Sequence, residues 1–149
     1  MVERKRLHDD VCPSARALDV IGDWWSLLIV RDAFDGLSRF SEFQQSLGIA
    51  KNILASRLRS LVERGILQTT PGESGRMLYQ LTPKGRDLFP VMVALRQWGE
   101  RHLFEPGERR SQLVERDTGE TVHLEVRTAA GRPIGPDEAV IVKPDPAEL

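Results

Sequence analysis

Cysteine is nearly missing from this sequence: 149 residues contain one, Cys12. A single thiol cannot close an internal disulfide. No CxxC pair exists and the three histidines, His8, His102 and His123, are scattered, so the close-spaced four-ligand pattern of structural zinc is lacking. Long apolar runs are lacking as well. The longest, around Leu27 to Val30, falls far short of the roughly 20 residues that a membrane span needs. The basic start, Met1-Val2-Glu3-Arg4-Lys5-Arg6, is followed by no signal-peptide core. A cytoplasmic protein with no membrane role is expected. Also missing are a serine–histidine–acid grouping, a phosphate-binding glycine loop and a paired-carboxylate pattern. No enzymatic activity, cofactor or metal is therefore expected.

Net charge is also small, −1, which by itself does not suggest a nucleic-acid binder. The distribution is more informative. Between Gly36 and Arg86 there are eight basic and three acidic residues, a surplus of five, so the remainder of the chain stands at −6. A basic middle with acidic flanks suits a protein that turns one face to an anionic polymer. The length allows one domain with a proper core and a small appendage.

Punctuation residues divide the chain. The first ten residues read as an arm. A helix is expected from Pro13 to Ile21, with proline at its first position and Gly22 at its end. Another fits Trp24 to Phe34 after Asp23 as N-cap, largely buried through Trp24, Leu27, Leu28 and Val30 or Arg31. After the Asp35-Gly36 turn, a short helix fits Arg39 to Leu47, capped by Ser38, with Phe40, Phe43 and Leu47 on one face. Gly48-Ile49 is a tight turn. A fourth helix, Ala50 to Arg64, carries Leu54, Leu58 and Leu61 as its buried stripe and stops at Gly65. Two strand-like runs, 66–70 and 77–81, flank a glycine-containing loop and read as a hairpin. Thr82 then caps a long helix from Pro83 to about Leu103. Past a linker at 105–110, three alternating runs (113–116, 122–127 and 139–143) suggest a small three-stranded β appendage.

The fold class is thus mainly α with small β: a winged helix-turn-helix domain and a long C-terminal dimerisation helix over residues 1–103, then a linker and small β-rich extension over 104–149. In such a fold the second helix of the pair enters the DNA major groove. On a helical wheel of Ala50–Arg64 the three leucines share one side, and Asn52, Ala55, Ser56, Arg59, Ser60 and Glu63 fall on the other. Small side chains permit close approach, asparagine suits adenine and arginine suits guanine. Lys51 and Arg57 lie at the margins, where phosphates would run. The hairpin loop has two glycines and one arginine, Arg76, suited to a minor groove or a DNA backbone. The plain alternative is a solvated helix face and an ordinary surface hairpin.

The segment Cys12-Pro13-Ser14-Ala15-Arg16-Ala17-Leu18-Asp19-Val20-Ile21-Gly22-Asp23-Trp24-Trp25 resembles the opening signature of HxlR-type regulators. Arg39-Phe40-Ser41-Glu42-Phe43 is similar to the family's third-helix motif. Ile49 with Leu54, Arg57-Leu58, Leu61 and Gly65-Ile66-Leu67 resembles its recognition helix and first wing strand. Tyr79-Gln80-Leu81-Thr82-Pro83-Lys84-Gly85-Arg86 resembles the wing-to-helix junction. The resemblance covers roughly residues 10–103. It implies bacterial or archaeal transcription control by a homodimer on palindromic operators in double-stranded DNA. The expected DNA-binding set is Arg39, Lys51, Asn52, Ser56, Arg57, Arg59 and Arg76.

The residues give an independent reason for a dimer. The helix after the wing carries Leu88, Phe89, Val91, Met92, Val93, Leu95 and Trp98, more than the one apolar stripe a single core requires. The surplus suggests a surface buried against a partner, with help from the 13–21 helix; the alternative is cover by the C-terminal appendage. Some HxlR-type proteins sense oxidants through a cysteine at the place of Cys12, and a helix start favours a thiolate; the alternative is an incidental thiol. Trp24, Trp25, Phe34 and Trp98 are candidates to line a small-molecule effector pocket, or are simply core. The appendage resembles an extension in which cysteine pairs suggest a zinc knuckle. Here the matching turns, Asp117-Thr118-Gly119 and Thr128-Ala129-Ala130-Gly131, carry no ligands, so no metal is expected.

Three functions compete: a sequence-specific DNA-binding regulator, a winged helix used only for protein assembly, and a small enzyme. The basic arc and basic wing favour the first, with repression the commoner mode for compact helix-turn-helix dimers.

Overall fold

Local chemistry starts and stops each helix. The computed structural model describes residues 7–148. Helix α1 (Pro13–Ile21) begins with Pro13, whose fixed φ is pre-set for a first turn. Helix α2 (Trp24–Phe34) is capped by Asp23, whose carboxylate accepts the Ser26 amide at 2.9 Å and the Ser26 hydroxyl at 2.6 Å. Helix α3 (Phe40–Leu47) is capped differently from expectation. Arg39, not Ser38, is the N-cap residue, and the Glu42 carboxylate reaches back to accept the amides of Ser38 and Arg39 at 2.9 and 3.0 Å. The Ser38 carbonyl meanwhile accepts the Tyr79 amide at 2.8 Å.

Between α3 and helix α4 (Lys51–Glu63) the chain turns on Gly48 at φ +61°, in the left-handed region where a side chain is strained. Strands β1 (Leu67–Pro71) and β2 (Met77–Leu81) pair antiparallel, with Leu67 opposite Leu81 and Pro71 opposite Met77. Thr82 joins the pieces. Its amide donates to Ile66 O, its hydroxyl donates to Gly65 O, and the same hydroxyl accepts the Gly85 amide to cap α5 (Pro83–Arg86). A Cβ on Gly85 would lie 2.2 Å from Ile66 O, so only glycine admits this approach.

The core of this first unit is built on Phe43, Ile29, Val30, Leu54, Leu58, Leu61 and Leu67, all essentially inaccessible. The α4 stripe is the expected one. The orientation of α2 is not: its buried residues are Ser26, Ile29, Val30 and Asp32, the last paired with Arg31 at 2.8 Å, Leu27 and Leu28 are half-buried, and Trp24 is 73% exposed. Spacing of three and four from Ser26, held by Asp23, sets that face.

The single long helix expected after the wing is interrupted. α5 stops at Arg86 and α6 (Phe89–His102) starts after two intervening residues, Asp87 and Leu88. Pro90 is the reason. In a continuous helix it would lack an amide for the Arg86 carbonyl and clash with it, whereas in a new first turn it is tolerated. The chain also divides into two compact units at this point, one through Leu88 and one from Phe89.

In the second unit the three runs do not form a three-stranded sheet. Among the described residues only two isolated bridges occur, Val114–Thr121 and Arg127–Pro133. Each flanks one of the ligand-free turns, and side chains hold those turns. The Glu115 carboxylate accepts the Asp117 amide and both the amide and the hydroxyl of Thr118. The Thr128 hydroxyl accepts the Arg132 amide. Gln97 of α6 clamps Leu124 twice, accepting its amide at 2.7 Å and donating to its carbonyl at 3.0 Å. With so few buried apolar side chains, extended segments lack the covered face that strands need. The N-terminal arm, as far as residue 6, lies outside the described residues.

Candidate nucleic-acid interface

Helix α4 buries its leucines and by the same geometry turns Lys51, Asn52, Ser56, Arg59 and Glu63 outward, all exposed. Arg39 is exposed at the start of α3, and Arg76 is exposed at the base of the hairpin loop. That loop is closed by the Gly72 amide donating to Arg76 O at 2.8 Å and the Gly75 amide donating to Gly72 O at 3.1 Å.

The cations of the basic middle fall into two sets. Arg57 is half-buried and its Nε lies 3.1 Å from Asp23 Oδ1. Arg64 lies 3.7 Å from Asp19 Oδ2. Lys84 donates to the Arg64 carbonyl at 2.8 Å and so caps the end of α4. Arg39, Lys51, Arg59, Arg76 and Arg86 make no ion pair with any described residue. Uncompensated cations are the ones able to displace counterions from phosphates. Of the expected DNA set, Arg57 alone makes an ion pair with a described carboxylate, while Arg39 stands in the field of Glu42 without pairing to it.

Two carboxylates show how the site is braced. Burial works to raise the Asp23 pKa, but hydrogen bonds from the Ser26 hydroxyl and amide, with the Arg57 guanidinium beside it, outweigh burial and hold it below the ordinary value. The amides of Ser38 and Arg39 likewise hold Glu42 low. Asp23 thus serves α2 as a cap and α4 as an ion-pair partner.

One exposed α4 side chain escaped the sequence reading. Ile53, 38% exposed, lies at the margin of the outward arc, about 100° round the helix from Asn52. The signal was available: on the wheel Ile53 falls between Ser60 and Arg57, away from the leucines. An exposed apolar group here suits the 5-methyl of thymine.

The remaining candidates belong to different elements. Cys12 is exposed at the N-cap of α1. Trp24 and Trp25 meet edge to face, with ring centroids 6.0 Å apart. Phe34 is at the opposite end of α2, and Trp98 is on α6 with its ring 5.2 Å from that of His102. A cavity of about 170 Å3 in the second unit is lined by Arg96, Gly99, Glu100, Phe104, Arg110 and Ser111, and by none of those four aromatics. No described helix is long and apolar enough to cross a membrane.

A sequence profile of the HxlR-like helix-turn-helix matches residues 20–106, more than half of the chain. The chain belongs to the HxlR-like family. Over 93 residues this HxlR-like chain is 47% identical to an uncharacterized HTH-type transcriptional regulator of Mycobacterium tuberculosis, a stretch that is 61% of this chain and 59% of that relative. The chain thus spans less than two thirds of that relative's length. The crystal structure of PA1607, a candidate transcription factor, is similar at a TM-score of 0.86 and 56% identity, covering 91% of this chain and 96% of that one. The reduced form of the redox regulator HypR is similar at a TM-score of 0.56 and 32% identity, covering 62% of this chain and 94% of that one. The winged helix-turn-helix reading of α3, α4 and the β1–β2 wing agrees with these likenesses.

Proposed function

We propose that this HxlR-like chain is a sequence-specific DNA-binding transcriptional regulator, a cytoplasmic repressor rather than an enzyme, acting as a homodimer on a palindromic operator. The observation that carries the reading is the outward arc of α4, where Lys51, Asn52, Ser56 and Arg59 stand exposed and neither cation makes an ion pair with a described residue. Asn52 and Arg59 have the donor–acceptor patterns for adenine and guanine edges. Ser56 is small enough for close approach, and Arg39, Lys51 and Arg76 flank the arc as phosphate contacts. Arg57, held by Asp23, orients α4 and offers its remaining donors to a phosphate.

The homodimer draws on α6. Val91, Leu95 and Trp98 recur at spacings of four and three along one stripe and are all exposed, Trp98 by 60%. A solvent-facing stripe of this kind on a helix suits burial against a second copy. Two recognition helices about 34 Å apart would then read successive major grooves and require a palindrome.

Selection from a library of random-sequence duplexes tests the reading. Enrichment of an inverted repeat supports it. A pool that stays random overturns sequence-specific recognition.

Control by thiol oxidation is a narrower reading, favoured by the exposure of Cys12 and by the likeness to HypR. Cys12→Ser is expected to abolish any change in DNA affinity on mild oxidation. A serine variant that still responds removes Cys12 from the sensor role. Trp24 and Trp25 remain the starting point for an effector site.

A further inference from the structure

Residues 139–143, Ala139-Val140-Ile141-Val142-Lys143, have the composition of a buried strand and the environment of a solvated one. Val140, Ile141 and Val142 are 86%, 84% and 87% exposed. Three consecutive apolar residues would face both sides of a strand, the pattern of a strand covered on both faces. No backbone amide or carbonyl of 139–143 is hydrogen-bonded to a described residue. The segment leaves the Pro136–Glu138 turn with Ala139 in extended conformation (φ −118°, ψ 145°).

The same unit also offers an unpaired edge. Along 121–125 burial alternates, and one edge of the run is in use. The Val122 amide donates to Leu113 O, Leu124 is clamped by Gln97, and Val126 O accepts the Ile134 amide. In a strand the next residues point their backbone groups to the opposite edge. Those residues are His123 and Glu125, and their amides and carbonyls are unbonded among the described residues.

We propose that segment 139–143 of one copy pairs as an antiparallel strand with the His123–Glu125 edge of a second copy, reciprocally. Each copy holds one donor strand and one open edge, so two copies satisfy both by an isologous, closed exchange. Within one chain the segment stays unpaired. The turn preceding it is fixed by the Arg132–Glu138 ion pair at 2.9 Å and by the Gly135 amide on Glu138, and Ile134 sits at the edge already in use. Placing Ile141 opposite Glu125 sets Val140 and Val142 beside Val126 and Leu124. It also sets Lys143 diagonal to Glu125, an attractive cross-strand pair. Val126, exposed in the single chain, gains cover in this arrangement.

The inference rests on the homodimer proposed above and adds the segment that locks it. Sedimentation equilibrium of the full chain and of Ile141→Asp across a dilution series tests it. Ile141 is exposed in the single chain, so the variant is expected to keep its helical circular dichroism while its dimer dissociation constant rises at least tenfold. A dimer of unchanged dissociation constant overturns the strand exchange and leaves the dimer standing. A full chain that is monomeric throughout overturns the dimer and the exchange together. A second measurement separates exchange from folding back. Opposed hydrogen-bonded residues lie about 5.5 Å apart, within disulfide reach. Glu125→Cys with Ile141→Cys, in a Cys12→Ser background, is expected to give a covalent dimer on oxidation. An intrachain disulfide, or no disulfide, overturns the exchange.

Discussion

Ile66-Leu67 and Val140-Ile141-Val142 are both short β-branched or aliphatic runs next to turns. The first pair is at most 3% exposed and the second run is at least 84% exposed. The difference lies in what surrounds them. Leu67 opens a hairpin whose register is pinned by Leu81, and Ile66 O accepts the Thr82 amide, so the wing stacks on α4 and closes a core. The C-terminal run follows a surface turn and meets no covering layer. Apolar character therefore sets a demand for burial, and only a neighbouring element, from the same or another chain, meets it.

The contrast can be broken most forcefully at Phe43. Phe43→Ala removes a fully buried ring and is expected to cost about 3–5 kcal/mol in urea unfolding, against less than about 0.5 kcal/mol for Val126→Ala in the single chain. Equal losses would mean that the second unit has a core of its own.

Arg59→Ala comes next. Its guanidinium has no carboxylate partner among the described residues, so folding is expected to be unchanged while specific DNA binding weakens by about 1–3 kcal/mol and base preference relaxes at one position. Unchanged affinity in a fluorescence-anisotropy titration removes Arg59 from the interface.

Asp23→Ala deletes a cap and an ion-pair partner together, with an expected loss of about 1 kcal/mol in thermal or urea unfolding. The folded pKa of Asp23 lies below its unfolded value. Its contribution is thus present in full above the ordinary carboxylate range and is lost as pH falls through the lowered value. Asp23→Asn should flatten the acid side of the stability profile, and a variant with an unaltered profile would contradict that assignment.

The smallest expected effect is that of Arg76→Ala, a uniform loss over specific and random duplexes with the salt slope shallower by about one. A loss confined to the specific site would assign Arg76 to base reading.

Where local chemistry decides, the sequence was legible. Pro13, Asp23, Gly48 and Thr82-Pro83 mark helix starts and turns by rules that need no tertiary partner, and the α4 leucines fix its inward face. Legibility failed where several answers satisfy the local rules. Trp24–Phe34 is apolar nearly all round, so its orientation waits for the Asp23–Ser26 bonds and the packing of Ile29 and Val30. Pro90 is a helix-break signal that the reading of one continuous helix from Pro83 left out, because the apolar periodicity runs straight across it. The pairing of Arg57 with Asp23 spans 34 positions and has no periodic signature, so a residue assigned to phosphates also proves to be a brace. In the extension, alternation pointed to three strands, but among the described residues only two isolated bridges form, because alternation carries no information on whether a covering neighbour is present.

Whether α4 reads DNA is decided by a titration of the full chain against its own upstream intergenic duplex and a scrambled duplex of equal length, at near-physiological salt. Binding is expected to be at least a hundredfold tighter to the upstream duplex, with the preference reduced by Arg59→Ala. Equal and weak binding to both duplexes, unaffected by Arg59→Ala, would contradict DNA reading by α4.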